Sequence, residues 1–287
     1  MSLAPPRQIT IFNFRLNSYI TLKVQNPKGN YIMKILAIGD VVGTRAIAYL
    51  KKKLWALRDA KKIDFVIANG ENASEIHGIS ANDARALLDT GVDFITLGNH
   101  TWNKRDIYAF LDSNPECIIR PANYPGSAPG YGHYIANVNG YRVLIINVLG
   151  QAFMEPVGDP FDAVELILAR EEGNFDISVL DVHAEATSEK YAIARVFDGK
   201  INVIFGTHTH VPTADVQILE GGTAYVTDLG MTGPRNGVLG VDTERTLTKM
   251  RMHMPAQFTV ANGEIRADAV IFELDGNKVK KAERIEF

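Results

Sequence analysis

The chain has 287 residues, 46% of them hydrophobic, and a formal charge of −3. That suits one large domain with a sizeable core, lacks the basic footprint that duplex nucleic acid requires, and offers no apolar run near the ~20 residues that span a bilayer. Cys117 is the only cysteine, so an internal disulfide is ruled out and a reducing cytoplasm fits; ahead of Ile118 it reads as a small packed side chain, not a nucleophile.

Residues 1–32 scatter Arg7, Arg15, Lys23 and Lys28 among apolar positions and so lack the continuous core of a signal peptide. They read as an extension ahead of a domain at 33–287: an upstream start, a remnant of cloning, or a loosely attached strand pair with a short β segment at 20–24. No chemistry is assigned to them. Beyond Met33, five short apolar runs each end on polar side chains. Residues 34–38 close on Gly39-Asp40, 65–68 on Asn69-Gly70-Glu71-Asn72, and 94–97 on Gly98-Asn99-His100. Residues 177–182 close on His183, with Glu185 just beyond, and 202–205 close on Gly206-Thr207-His208-Thr209-His210. Helical spacing marks residues 44–57, 80–88, 104–111, 162–171 and 188–197, several opening on Ser, Thr or Asp. Asn139-Gly140, between 133–138 and 141–148, is a two-residue hairpin signal, and Glu220-Gly221-Gly222 marks a second turn between 215–219 and 223–228. Strands alternating with helices, interrupted by hairpins, predict an α/β fold with mixed sheets. No internal repeat or low-complexity tract is present.

Each polar strand end has a plain explanation when taken alone. Asp40 could cap a helix, Glu71 could be a surface charge, Asn99 a turn residue, and His100 or His183 a hydrogen-bonded loop histidine. Together they mean more, because the carboxyl ends of strands form the ligand crevice of an α/β sheet. Convergence would gather Asp40, Glu71, Asn72, Asn99, His183, His208 and His210, more donors than one tetrahedral ion needs. Two ions fit better. Mixed nitrogen and oxygen donors without thiolate favour Fe, Mn or Zn over a soft-metal site or an all-oxygen calcium cage. A carboxylate bridging two cations about 3.5–4 Å apart would clamp a phosphoryl displacement and acidify a water from about 15.7 to near 7.

The ordered set Gly39-Asp40, Gly70-Glu71-Asn72, Gly98-Asn99-His100, His183 and Gly206-Thr207-His208-Thr209-His210 resembles the calcineurin-like metallophosphoesterases. Two departures narrow the resemblance. The superfamily's first motif is Asp-x-His where this chain has Asp40-Val41-Val42, and its second is Gly-Asp where this chain has Gly70-Glu71. With the runs 181–190 and 206–215, the variant is similar to the bacterial YmdB-like phosphodiesterases from about Met33 onward. The resemblance implies two stacked mixed β-sheets flanked by helices, a four-layer α/β/β/α sandwich, which also accommodates the hairpins. It implies Asp40, Glu71, Asn72 and His210 around one metal, and Glu71, Asn99, His183 and His208 around the other, with Glu71 as the bridge. Asn72 then fills the place of the absent first-motif histidine. His100, beside a ligand without being one, is implied as the general acid that protonates the leaving alkoxide, an imidazolium at neutrality.

The same resemblance implies hydrolysis of phosphodiesters, among them 2′,3′-cyclic nucleotides. The nucleoside half would be held by loops, with Arg120 and Asn123 in one and Thr232 and Arg235 in the Gly-rich run 230–237 as candidates. A metal- or nucleotide-binding regulatory protein with slow turnover and a phosphomonoesterase are the alternatives. A monoester carries about two negative charges to a diester's one, and only Lys104 and Arg105 adjoin the donor motifs, which favours the diester. Partners beyond a small substrate are not indicated, and a homo-oligomer is compatible with the chain.

Overall fold

The computed structural model describes residues 31–287, so the β segment expected at 20–24 lies outside the described residues. The elements are β1 (Ile32–Ile38), β2 (Asp40–Val41), α1 (Gly43–Lys61), β3 (Phe65–Asn69), α2 (Ala81–Leu88), β4 (Phe94–Thr96), α3 (Ile107–Ser113), β5 (His133–Val138) and β6 (Tyr141–Leu149). They continue with α4 (Pro160–Arg170), β7 (Ile177–His183), α5 (Thr187–Val196), β8 (Val203–Thr207), β9 (Gln217–Ile218), β10 (Ala224–Val226), β11 (Met231–Pro234), α6 (Thr243–Met252), β12 (Ile265–Asp275) and β13 (Lys278–Glu286).

Two mixed sheets result. One runs β2-β11-β12-β1-β3-β4 with β13 added on β12; the other runs β5-β6-β7-β8-β10-β9. The apolar runs are continuous, not alternating, because both faces of these strands are covered. On β1, Met33, Ile35 and Ala37 join Phe65, Ile67, Val143, Ile145, Val179 and Phe205 in a core between the sheets. Leu36 and Ile38 point the opposite way and meet Ile47, Leu50 and Leu54 of α1 and Ala84 and Leu87 of α2. On the far side, Leu144, Ile146, Leu180 and Val182 meet Val164 and Ile167 of α4 and Ile193, Ala194 and Phe197 of α5. Helix, sheet, sheet and helix therefore stack as four layers, as expected.

Local chemistry sets the boundaries. Ser80 caps α2 by accepting from Asp83 N, and Asp159 caps α4 ahead of Pro160. Asn139 and Gly140 both have positive φ, 50° and 87°, as a two-residue hairpin between β5 and β6 requires. The structure adds β12 and β13, which the sequence reading does not contain, and differs from it in three further places. The helix expected over 104–111 begins only at Ile107, because Thr101–Asn103 forms a 3-10 turn and Lys104 is extended. Helix α6 has no counterpart in the sequence reading, since Thr246 is its only buried residue and it shows no apolar stripe. The run 230–237, expected as a loop, contains β11, which pairs with β2 and β12. Among the described residues no helix is long and apolar enough to cross a membrane.

Candidate metal centre

The five polar strand ends do converge. Asp40 begins β2, Glu71 and Asn72 follow β3, Asn99 and His100 follow β4, His183 ends β7, and His208 and His210 follow β8. Two glycines make the approach close enough. A Cβ at Gly98 would stand 2.3 Å from the His183 ring and 2.4 Å from Glu71 Oε2, and one at Gly206 would stand 1.8 Å from the Thr227 carbonyl oxygen. Glycine is needed at both positions for the donors to meet.

His183 Nε2 is the crowded point. It lies 3.1 Å from Glu71 Oε1, 3.1 Å from Asn99 Oδ1 and 3.0 Å from His208 Nδ1. One ring nitrogen has a single N–H or a single lone pair, so it cannot satisfy three such neighbours. Donor atoms held about 2.0–2.2 Å from one ion lie roughly 3.0–3.5 Å apart, so this spacing matches the corners of a coordination shell. Glu71, His183 and His208 are the group whose ligand atoms lie within 4.8 Å of one another. A second set lies on the other side of Glu71. Asn72 Nδ2 is 3.2 Å from Glu71 Oε1 and 3.1 Å from His210 Nε2, and His210 Nε2 is 3.7 Å from Asp40 Oδ1. Asp40 is fully buried, its Oδ2 accepts from His208 N at 3.1 Å, and its Oδ1 has no hydrogen-bond partner. An orphaned carboxylate oxygen in a dry pocket is costly unless a cation meets it. The donors present therefore fit metal.

The outward nitrogen of each histidine is already occupied. His183 Nδ1 meets Thr207 Oγ1 at 2.9 Å, whose hydroxyl donates to Asp181 Oδ1 at 2.7 Å. Asp181 also accepts from Thr96 Oγ1 and from Asn69 Nδ2. His208 Nε2 faces Glu185 Oε2 at 3.0 Å, and His210 Nδ1 faces the Leu239 carbonyl oxygen at 3.0 Å. Acceptors at these positions fix each ring's tautomer so that the other nitrogen turns its lone pair inward, as metal-binding histidines require. The sequence reading gives Asp181, Thr207, Asn69 and Glu185 no role. The signal that could have found them is polar residues inside otherwise apolar strands, Asp181 in β7 above all.

Electrostatics agree with this crowding. Burial opposes ionisation of Glu71, but His183 and the backbone N–H of His100, 2.9 Å from Oε2, outweigh it and hold the carboxyl well below its ordinary range. Burial likewise opposes charging of His183, yet Glu71 beside it pushes it up to about 9. Burial, then the adjacent His183, push His208 down to about 3. Burial raises the Asp40 carboxyl above its usual value.

A family model described as YmdB-like protein matches residues 36–286. The chain belongs to this family of calcineurin-like phosphoesterases. Over 254 residues it is 42% identical to a Bacillus subtilis protein named 2′,3′-cyclic-nucleotide 2′-phosphodiesterase, with 88% of this chain and 96% of that protein covered. A crystal structure from Mycoplasma pneumoniae described as a novel phosphatase superposes with a TM-score of 0.84 at 33% identity, covering 90% of this chain and 94% of that one. A Thermus thermophilus structure described as a hypothetical protein does so at 0.84 and 39%, covering 89% and 99%. As a YmdB-like protein the chain is a metal-dependent phosphoesterase, and the Glu71, His183 and His208 cluster is its candidate metal site.

Three of the four loop residues proposed for substrate, Arg120, Asn123 and Arg235, are engaged with other groups. The Arg120 guanidinium donates to the carbonyls of Pro121, Pro129 and Ala128 at 2.7, 3.3 and 3.4 Å, stapling its own loop. Asn123 Nδ2 donates to Leu149 O at 2.7 Å and Gly158 O at 2.9 Å, while its Oδ1 accepts from Leu149 N. Thr232 is buried in β11, and Arg235 pairs with Glu286. Arg120 and Asn123 thus hold their own segments together, while the Thr232 hydroxyl is buried without a hydrogen-bond partner among the described residues. In YmdB-like proteins with this relay, Thr207→Val should weaken metal affinity roughly 10- to 100-fold by freeing the His183 ring. Chelator competition measures this, and an unchanged affinity would remove Thr207 from any supporting role.

Proposed function

We propose that the chain is a dinuclear phosphodiesterase acting on 2′,3′-cyclic nucleotides. The observation that carries this reading is the set of three imidazoles, each tied on its outward side, around Glu71. Asp40, Asn72 and His210 would hold one ion and Asn99, His183 and His208 the other, with Glu71 shared. Asn72 presents its oxygen after a half-turn of the amide. Bound Fe, Mn or Zn ions would supply Lewis acidity at the phosphoryl oxygens and lower the pKa of the attacking water. The substrate class rests on the name of the Bacillus subtilis relative and on charge. Among the described residues no Lys or Arg pairs with Asp40 or Glu71, which suits a singly charged diester better than a monoester.

His100 would protonate the leaving ribose oxygen. Its backbone N–H donates to Glu71 Oε2 and its ring lies 4.2 Å from that of His77, tilted by 43°, with Nε2 3.5 Å from Asn99 Nδ2 beside the proposed donors. Burial, opposed by Glu71, pushes the free imidazole below its ordinary value. The expected imidazolium is therefore a feature of the substrate complex, where an anionic phosphate favours the charged form. His100→Ala should keep its metal and lose about 10²- to 10⁴-fold in kcat. Metal content falling in parallel would make His100 a ligand instead.

The decisive experiment is a turnover panel on metal-reconstituted protein: an aryl diester, the matching monoester, and 2′,3′- and 3′,5′-cyclic nucleotides. The 2′,3′-cyclic compounds should be preferred. Preference for the monoester would overturn the substrate assignment, and turnover surviving Asp40→Asn and His208→Ala would trace the activity to a contaminant.

A further inference from the structure

The nucleoside half of a cyclic nucleotide needs a contact that none of the metal-site residues provides. The segment linking β6 to α4 stands on the same rim of strand ends. Gly150 N donates to the His183 carbonyl oxygen at 2.9 Å, and Glu155 further along acts electrostatically on His100. The segment is fastened at several points. Gln151 N donates to Glu189 Oε1 at 2.8 Å, Gly158 N donates to Asn123 O at 2.9 Å, and the Tyr124 hydroxyl donates to Glu155.

At the centre of this fastened arm is Phe153. Met154 N donates to Gln151 O at 3.3 Å, closing a four-residue turn with Phe153 in the third position. Its φ is 62° while Ala152 has no positive φ, the pattern of a type II turn, in which that position normally falls to glycine. For a bulky residue this left-handed backbone is an outlier. Phe153 is also 93% exposed, the highest value among the exposed large hydrophobics described. Folding gains neither packing nor comfortable geometry from the ring, and such strain concentrates where ligands bind. Trp102 is a poorer candidate, since it is already engaged edge-on with Tyr108 and Tyr124 at 5.6 and 5.2 Å.

We propose that Phe153 is the platform on which the nucleobase stacks while the cyclic phosphate lies beside Glu71 and His100, an inference that rests on the cyclic-nucleotide reading. Three residues of chain beyond Gly150 reach about 10 Å at most, which keeps Phe153 within that distance of the rim. Every base has a π face, so the platform adds affinity without selecting one base, and purine and pyrimidine substrates are both accepted.

The test uses the metal-loaded full chain with adenosine and cytidine 2′,3′-cyclic phosphates and, as the compound without a base, methyl ribofuranoside 2′,3′-cyclic phosphate. Phe153→Ala should raise KM for both nucleotides about tenfold or more, with kcat little changed and KM for the baseless compound unchanged. Phe153→Trp should restore it. Phe153→Gly should raise Tm, because glycine relieves the left-handed backbone, whereas a ring that supports folding would lower it. Wild-type turnover of all three with equal or no effect of Phe153→Ala, or a lower Tm for Phe153→Gly, overturns the platform alone. Wild-type protein that hydrolyses none of the three refutes the cyclic-nucleotide reading and the platform with it.

Discussion

Glu71→Gln should lower kcat/KM by at least about 10³-fold, since even one preorganised charge-stabilising donor is worth about 10²–10³. Glu71 is fully enclosed, touches His183 and Asn72 through Oε1 and receives the His100 N–H on Oε2. An amide keeps the shape but removes the negative charge that the two proposed metal sites would share, and turns an N–H₂ towards partners that need an acceptor. Elemental analysis should find at least one ion fewer per chain than in the wild type. Glu185, which touches only the outer nitrogen of His208 and is half exposed, provides the contrast: Glu185→Gln should keep the metal stoichiometry. Full metal content and normal turnover in Glu71→Gln would place the shared ligand elsewhere.

Lys190→Met should cost about 3–5 kcal/mol, the range for stranding one partner of a buried ion pair, and lower Tm by roughly 10 °C in a domain of this size. Lys190 Nζ and Asp228 Oδ2 are 2.7 Å apart with both side chains enclosed. Asp228 also accepts from Thr209 N at 3.1 Å, Thr209 Oγ1 at 2.8 Å and Gly230 N at 2.9 Å. It is thus the post that holds Thr209 between two histidines in left-handed backbone, with φ of 99° at His208 and 63° at His210. Such conformations persist only where the surroundings over-determine them. Calorimetry on chelator-treated protein separates the loss of the pair from any loss of metal. A double replacement, Lys190→Met with Asp228→Leu, should recover part of the stability but not the turn, because Thr209 N then lacks its acceptor. A Tm change under about 2 °C in Lys190→Met would show that the pair supports neither.

The convergence of the proposed metal donors was legible in the sequence because each lies within about five residues of the end of a buried apolar run, so chain order alone puts them at strand ends. Their supports were not legible. Asp181 and Thr207 meet across the paired strands β7 and β8, and Asn69 reaches them from β3 of the other sheet, so strand pairing and sheet stacking together make them neighbours. The same holds for Lys190, a charged residue on a helix that sequence alone assigns to solvent. β13 escaped notice because its exposure pattern is mostly open, which leaves little apolar signal, and β11 because glycine and proline mark turns more often than strands. Phe153 carries no sequence signature at all. What distinguishes it is the sign of a backbone angle.

The sheet containing β1, β3 and β4 contributes oxygen donors alone, from Asp40, Glu71, Asn72 and Asn99, whereas the sheet containing β7 and β8 contributes nitrogen alone, from His183, His208 and His210. Oxygen and imidazole nitrogen thus arrive from opposite leaves. Any slippage of one leaf along the other alters the proportion of carboxylate to imidazole around each ion, and with it which transition metal is retained. On the proposed ligand set, elemental preference would accordingly depend on the hydrocarbon seam joining the leaves, through residues such as Phe94 and Phe205.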